Sequence, residues 1–392
     1  MIRIGNISLM TESGLVSDAV IETDGARIVY AGPRSGCPPT SAEEWDGGGL
    51  TALPGFVDIH QHGGGGIEYM SSSPEEIRKG CLCHALHGTT TMLPTSFAAN
   101  EDLTLQMIRS VREASRAEKR FSIAGIHLEG PFLSPAQSGA QSPDALAVPS
   151  PERWEPLLNE WPEGIRIMGA APELPGALEL GAELKRRGIT ASIAHSDADW
   201  EQCCAALKAG YTDITHIYSG CSMVHRIGGF RHGGVVEAGL LEDGFTVQVI
   251  ADGCHLPPEL LKLIVKNKGP QKTALITDAL FAAGVDYPEG TVVRQANGME
   301  CVLEDGVMKM PDRKAFAGSI ATMDRLVKNM VELAGVSLCD ASVMASQTPA
   351  RIVGLSSKGR LAEGADADIV LMDDKLQVRA VWALGRLLRA PS

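Results

Sequence analysis

The sequence predicts an α/β fold, a (β/α)8 TIM-like barrel joined to a small β-sandwich domain, and three observations predict it. Eight short apolar runs alternate with segments of helical periodicity, the pattern of a parallel sheet wrapped by helices. The ionisable residues of those runs gather near their C-terminal ends, where a barrel places its site. The two ends of the chain read instead as short strands joined by Gly and Asp turns.

From the N-terminus, residues 1–52 alternate apolar and polar positions and are broken at Asp24-Gly25 and Gly47-Gly48-Gly49. The closing stretch, GRLAEGADADIVLMDDKLQVRAVWALGRLL, has the same texture, so 1–52 and 358–392 are expected to pair as the small sandwich domain. Residues 53–357 form the barrel. Its eight runs are GFVDIHQH (55–62), TTMLPT (90–95), SIAGIHLEG (122–130), IRIMGAAPE (165–173), ITASIAHSD (189–197), DITHIYSG (213–220), TVQVIADG (246–253) and TALITDAL (273–280). Eight is the number that closes such a barrel. Segments 74–87, 102–119, 177–187, 199–209 and 257–268 carry apolar residues at three- and four-residue spacing, with Pro74 and Pro257 suited to helix starts. No internal repeat suggests a solenoid.

Composition bounds the function. A formal charge of −13 excludes a nucleic-acid or anionic-membrane surface, which needs clustered Lys and Arg. One or two local Arg can still hold a phosphate-bearing small molecule. Nine cysteines without a two-residue CxxC spacing read as reduced cytosolic thiols, so the expected location is the cytoplasm. The N-terminus has no basic segment followed by an apolar stretch, and no run reaches the roughly 18 apolar residues of a membrane span.

The chemistry concentrates on five runs. The first ends in Asp58-Ile59-His60-Gln61-His62, the third in Glu129, the fifth in His195, the sixth in His216 and the eighth in Asp278. Strand periodicity puts His60 and His62 on one face. A His-x-His pair, two further histidines and two carboxylates make a nitrogen and oxygen ligand set suited to a divalent metal, Zn(II) or Fe(II), one or two per subunit. A metal so held lowers the pKa of bound water towards about 7 and polarises a carbonyl. Asp278 beside it is suited to take the water proton and pass it to a departing nitrogen.

These residues resemble the amidohydrolase superfamily. PGFVDIHQHGGGG, GIHLEGPFLSPAQSGAQ, AHSDA, THIYSG, IADGCHLPPE and LITDAL are similar to the N-acetylglucosamine-6-phosphate deacetylase family within it. The similarity runs over nearly the whole chain, through FAGS, TPARIVGL and GRLAEGADADIVLMD; HLEGPF together with LITDAL is its specific part. The resemblance implies hydrolysis of the acetamide of an N-acetylhexosamine 6-phosphate, with an amino-sugar phosphate as the small-molecule partner. It implies that Glu129, His195 and His216 hold the principal metal, while His60 and His62 join Glu129 and Asp278 around a second. It makes Asp278 catalytic, and it puts His255 and Arg226 on the sugar phosphate, with Arg231 and His225 as competitors of Arg226. It also implies a homodimer whose partner contributes an Arg to the phosphate site.

Three departures fall on substrate recognition. Ser219-Gly220-Cys221 replaces the family's Asn-Ala-Met, which keeps backbone N–H groups but loses the Asn side chain. SMVHRIGGFRHGGVV lacks the usual Arg-Glu-Pro-Gly. Gln141 stands where many members have a substrate-facing histidine, so Gln141, Ser219 and Gly220 are the expected substrate contacts beside Arg226 and His255. Other histidines are set aside: His84 and His87 belong on a helix face, His127 in the core, and His232 is unassigned. The stretch 300–312 reads as a solvated hairpin. Two other functions compete. A cyclic-amide hydrolase would bridge its metals with a carboxylated Lys from the fourth strand, where IRIMGAAPE has none; a non-catalytic scaffold would have lost its ligands.

Overall fold

The computed structural model describes residues 1–11, 14–39 and 42–390, so the last two residues of the expected 358–392 segment lie outside the described residues. The chain ends build one mixed sheet of eight strands. Ile2–Thr11, Gly14–Asp24, Arg27–Pro33, Glu43–Asp46 and Thr51–Pro54 come from the N-terminal side. Ile369–Met372, Val378–Ala383 and Arg386–Arg389 come from the other. The two sets meet where Thr51–Pro54 pairs antiparallel with Ile369–Met372. The sheet also curls back on itself: Ile28 N–H donates to Ala365 O at 2.9 Å and Ala367 N–H to Ala26 O at 2.8 Å. Ile4, Leu9, Ile21, Ile28, Ile369, Leu371 and Trp382 pack into one cluster inside the curl. Trp45 meets Trp382 edge-on at 4.7 Å, the favoured geometry for facing aromatic quadrupoles.

The barrel strands are Phe56–Gln61, Thr89–Ser96, Ile126–Glu129, Ile165–Ala170, Thr190–Ile193, Tyr211–Ile214, Thr246–Val249 and Thr273–Leu275. Each pairs parallel with the next. Asp278 N–H donates to His60 O at 2.9 Å, and a bridge joins Gln61 to Ala279, so the first and eighth strands meet just above their paired segments. All six residues of the first strand are buried, as expected of a parallel strand covered on both faces. The third run is interrupted at Gly125, with φ +147°, where a Cβ would lie 2.2 Å from Gly164 O; Ser122–Ile123 therefore stands apart from Ile126–Glu129.

Helices Pro74–Leu86, Glu101–Ala117, Ala177–Arg187, Trp200–Ala209 and Pro258–Lys268 occupy the five predicted segments. Ser73 with Glu76, and Asp199 with Gln202, close reciprocal caps that satisfy the first free N–H groups of two of them. No helix among the described residues is long and apolar enough to cross a membrane. None of the nine cysteines is joined in a disulfide.

The stretch 300–312 departs from the reading as a solvated hairpin. Glu300–Glu304 and Val307–Lys309 do pair antiparallel, but within a four-stranded sheet with Val292–Arg294 and Phe316–Gly318. Cys301, Val302, Leu303, Val307 and Met308 are buried, so the acids mark only its outer face. This sheet delivers Phe316–Gly318 to the mouth of the barrel, where Ser319 N–H donates to Asp278 O at 2.9 Å.

Candidate active site

The six metal-ligand candidates meet at the C-terminal mouth of the barrel. His60 lies within the first strand and Glu129 ends the third, whereas His195, His216 and Asp278 stand two or three residues beyond the last paired residue of theirs. Those three have positive φ, 44°, 26° and 48°, which turns the chain sharply out of each strand and swings the side chain over the barrel axis. That conformation is unfavourable for non-glycine residues and is typical of sites where geometry is imposed by function.

Glu129 is the centre of the arrangement. Its Oε1 lies 2.8 Å from His216 Nε2 and 3.1 Å from His195 Nε2. Its Oε2 lies 3.3 Å from His62 Nε2 and 3.6 Å from His60 Nε2. Asp278 Oδ1 lies across from the His-x-His pair, 3.2 Å from His62 and 3.4 Å from His60. One carboxylate thus offers a separate oxygen to each of two histidine pairs. His60, His62 and Asp278, and likewise His60, Glu129 and His216, place their ligand atoms within 4.8 Å of one another.

The far nitrogens of all four histidines are engaged. His62 Nδ1 faces Thr95 O at 3.1 Å, His195 Nδ1 faces Gln137 O at 2.8 Å and His216 Nδ1 faces Ser219 O at 3.0 Å. A carbonyl only accepts, so each of these Nδ1 atoms carries a proton; each Nε2 faces inward, where it donates to the carboxylates as it stands and would turn a lone pair to a bound metal, the orientation metal-binding histidines take. His60 Nδ1 lies 3.4 Å from Gln248 Oε1, and Gln248 Nε2 donates at 2.6 Å to Asp213, a buried carboxylate also held by Ser192 and Thr246. The donor set fits a divalent metal with nitrogen and oxygen preference.

The charges are tightly interlocked. Burial alone would raise the Glu129 carboxyl, but His60 beside it and hydrogen bonds from His195 and His216 hold it well below the usual range. Burial would lower His62, yet Asp278 and Glu129 push it up to about 10. Burial pushes Asp58, within the first strand, up to about 6 despite Thr277 Oγ1 donating at 2.6 Å.

Around these groups lies a cavity lined by Phe97, Gln141, Ser219, Gly220, His255 and Phe316. His255 is fixed by Asp252, whose Oδ2 takes its Nδ1 proton at 2.8 Å, and Phe316 meets its ring edge-on at 4.9 Å. The Ser219 N–H is already donated to His216 O at 2.9 Å, so this residue offers its side chain. Gln141 is buried, with its amide engaged at both ends. Arg226 is not at the cavity: with His225 and Arg231 it lies on an exposed hairpin, His225–Ile227 paired to Phe230–His232. His84 is buried and its Nε2 donates to Gly63 O at 2.8 Å, while His87 caps that helix and pairs with Asp324 at 3.1 Å. His127 is a core residue, its Nδ1 on Ile59 O at 3.0 Å and its ring edge-on to His60 at 4.6 Å.

Sequence reasoning missed Gln248, Asp213 and Asp252, which orient site histidines from behind. Gln248 and Asp252 both fall in the seventh run, TVQVIADG, where a Gln and an Asp among apolar residues were the available signal.

The amidohydrolase family model matches residues 51–388. An N-acetylgalactosamine-6-phosphate deacetylase of Escherichia coli O157:H7 is 32% identical over 97% of this chain and 97% of its own length. An N-acetylglucosamine-6-phosphate deacetylase of Bacillus subtilis is 31% identical over 96% of this chain and 94% of its own. Among solved structures, a mutant N-acetyl-D-glucosamine-6-phosphate deacetylase of Mycobacterium smegmatis, in complex with N-acetyl-D-glucosamine-6-phosphate, superposes with a TM-score of 0.91 at 31% identity, covering 99% of each chain.

Proposed function

The chain belongs to the amidohydrolase family, and on that premise we propose that it removes the acetyl group of an N-acetylhexosamine 6-phosphate, giving the amino-sugar phosphate and acetate. The observation that carries the reading is Glu129 offering one oxygen to His195 and His216 and the other to His60 and His62, with Asp278 facing them. In this proposal His195, His216 and Glu129 would hold one divalent ion, Zn(II) or Fe(II), and His60, His62, Glu129 and Asp278 would hold a second. Such an ion supplies Lewis acidity, activating water at neutral pH and polarising the acetyl carbonyl.

The chain's own residues do the rest. Asp278 takes a proton from the attacking water and returns it to the sugar nitrogen as the C–N bond breaks, serving as base and then acid. Without that second transfer the nitrogen would have to leave as an anion. His255, steadied by Asp252, binds the sugar phosphate, and Ser219 and Gly220 shape the floor on which the sugar lies. Phe97 and Phe316 exclude water from the mouth.

The proposal extends to a cytoplasmic homodimer. Phe230, 76% exposed, and Ile227, 57% exposed, make an apolar hairpin tip between Arg226 and Arg231. Set against a second copy, that tip would bury its apolar surface and bring a guanidinium to the partner's phosphate site. Relatives acting on the gluco and galacto epimers are 31% and 32% identical, so identity does not choose between them.

The test is amine release by the metal-loaded protein from N-acetylglucosamine 6-phosphate, N-acetylgalactosamine 6-phosphate and unphosphorylated N-acetylglucosamine. Turnover of a phosphorylated sugar at least tenfold above the unphosphorylated one is expected. No turnover of any of the three would overturn the substrate assignment.

A further inference from the structure

We infer that Gln141 is a positioning residue for the shared carboxylate of Glu129, and that it governs how tightly the site takes up metal. The inference rests on the proposed reading of the site as a metal centre. Gln141 is 3% exposed, and its amide is pinned at both ends. Ala98 N–H donates to its Oε1 at 2.7 Å, and its Nε2 donates to Glu129 Oε2 at 2.8 Å. A backbone N–H can only donate, so the carbonyl end must face Ala98 and the NH2 end must face Glu129. The orientation is therefore not interchangeable. The loop behind it is turned at Gly139, with φ +57°, and Gln141 N–H closes the turn onto Ser138 O at 2.9 Å.

The importance of this contact grows when metal is present. The other side chains pressed against the Glu129 carboxylate are His60, His62, His195 and His216, all through Nε2. An Nε2 that ligates a metal presents a lone pair and has no proton to donate. Among the described partners, Gln141 is then the remaining hydrogen-bond donor to a buried carboxylate. Its N–H holds the carboxylate plane so that Oε1 continues to face His195 and His216 while Oε2 faces His60 and His62. Groups behind a ligand that fix its orientation typically change metal affinity by about 10–100-fold.

The role differs from a substrate contact, and the two separate experimentally. Metal-free protein is titrated with Co(II), followed by its visible absorption, and with Zn(II) by calorimetry, for the wild type, Gln141→Met and Gln141→Asn. Met keeps the length and loses the donor; Asn keeps the amide but is one methylene too short to span Ala98 and Glu129. The expected result is a 10–100-fold weaker metal affinity in both variants, with KM at saturating metal within about threefold of wild type. If Gln141→Met fails to fold, Gln141→Asn alone decides. Wild-type metal affinity combined with a KM raised tenfold or more would overturn the inference and return Gln141 to the substrate. The titrations need no substrate, so weakened metal uptake in the variants supports the inference even if the wild type deacetylates none of the sugars. A wild type that takes up no metal would sink both readings.

Discussion

Replacing Asp278 by Asn should sharply lower kcat while leaving the fold and the substrate affinity in place. The backbone at 278 has φ +48°, a conformation that Asn tolerates better than most residues, so the substitution adds little strain. The main-chain bonds that close the barrel here, Asp278 N–H to His60 O and Ser319 N–H to Asp278 O, both 2.9 Å, do not involve the side chain. What the change removes is one negative charge, 3.2 Å from His62 Nε2 and 3.4 Å from His60 Nε2, together with the only oxygen proposed to accept and return the reaction's proton. Loss of a general acid and base alone lowers rates by about 10²–10⁴. Losing the same group at both proton transfers puts the expected fall in kcat at about 10³ or more, roughly 4 kcal/mol of barrier. Steady-state amine release across pH 6–9 measures kcat and KM, and thermal unfolding of the metal-loaded variant checks the fold. A kcat within tenfold of wild type, with Tm unchanged, would refute the assignment of Asp278.

Other consequences follow from the same geometry. Lys358, 8% exposed, joins the barrel to the terminal sheet through Asp368 at 2.7 Å, Asp366 at 2.9 Å and Ser122 at 2.7 Å. Lys358→Met leaves the buried Asp368 without a cation and Asp366 with Arg27 alone, at 2.6 Å, and denaturant unfolding should show a loss of about 3–5 kcal/mol; a change below 1 kcal/mol would mean water replaces the ammonium freely. Glu118 is raised by burial but brought down to about 2 by hydrogen bonds from Arg120 and Arg78. A depressed carboxyl stabilises the fold above its unfolded pKa, and that contribution is lost as pH falls from about 4.5 through 2. Glu118→Gln should therefore be less stable by about 1–3 kcal/mol at pH 7 and show a flatter acid limb than wild type, read from unfolding midpoints between pH 2 and 7; parallel limbs would contradict the cause assigned. Gln248→Leu, which removes the acceptor facing His60 Nδ1, should weaken metal uptake on the His60 side by about 10–100-fold in a calorimetric titration, and an unchanged isotherm would show that the 3.4 Å contact is idle.

Much of this site was legible because strand chemistry and loop chemistry differ sharply in a barrel. The strands FVDIHQ and IHLE are buried throughout, so His60 and Glu129 at their upper ends stand out. What the sequence concealed has two physical causes. The run TALITDAL marked Asp278 but not its route to the site: the paired part of the eighth strand stops at Leu275, and Asp278 arrives through a left-handed turn that no periodicity announces. The side chains behind the ligands were hidden for a different reason: Gln248 and Asp213 look like ordinary strand polars until the barrel closes and sets them against His60 and one another. Gln141 was singled out by its position in the family pattern, but its tie to Glu129 was hidden because the same amide is held by Ala98, 43 residues away. The buried face of 300–312 was masked by the acids on its outer one.

The most direct test of the account is acetate release from N-acetylglucosamine 6-phosphate and its galacto epimer, followed by proton NMR, using protein stripped with a chelator and then reloaded with measured equivalents of Zn(II) or Fe(II). The account predicts no acetate from the stripped protein and recovery that rises with metal bound to Glu129 and its four histidines, on at least one of the two sugars. Full activity in the metal-free protein, or metal uptake without acetate from either sugar, would contradict it.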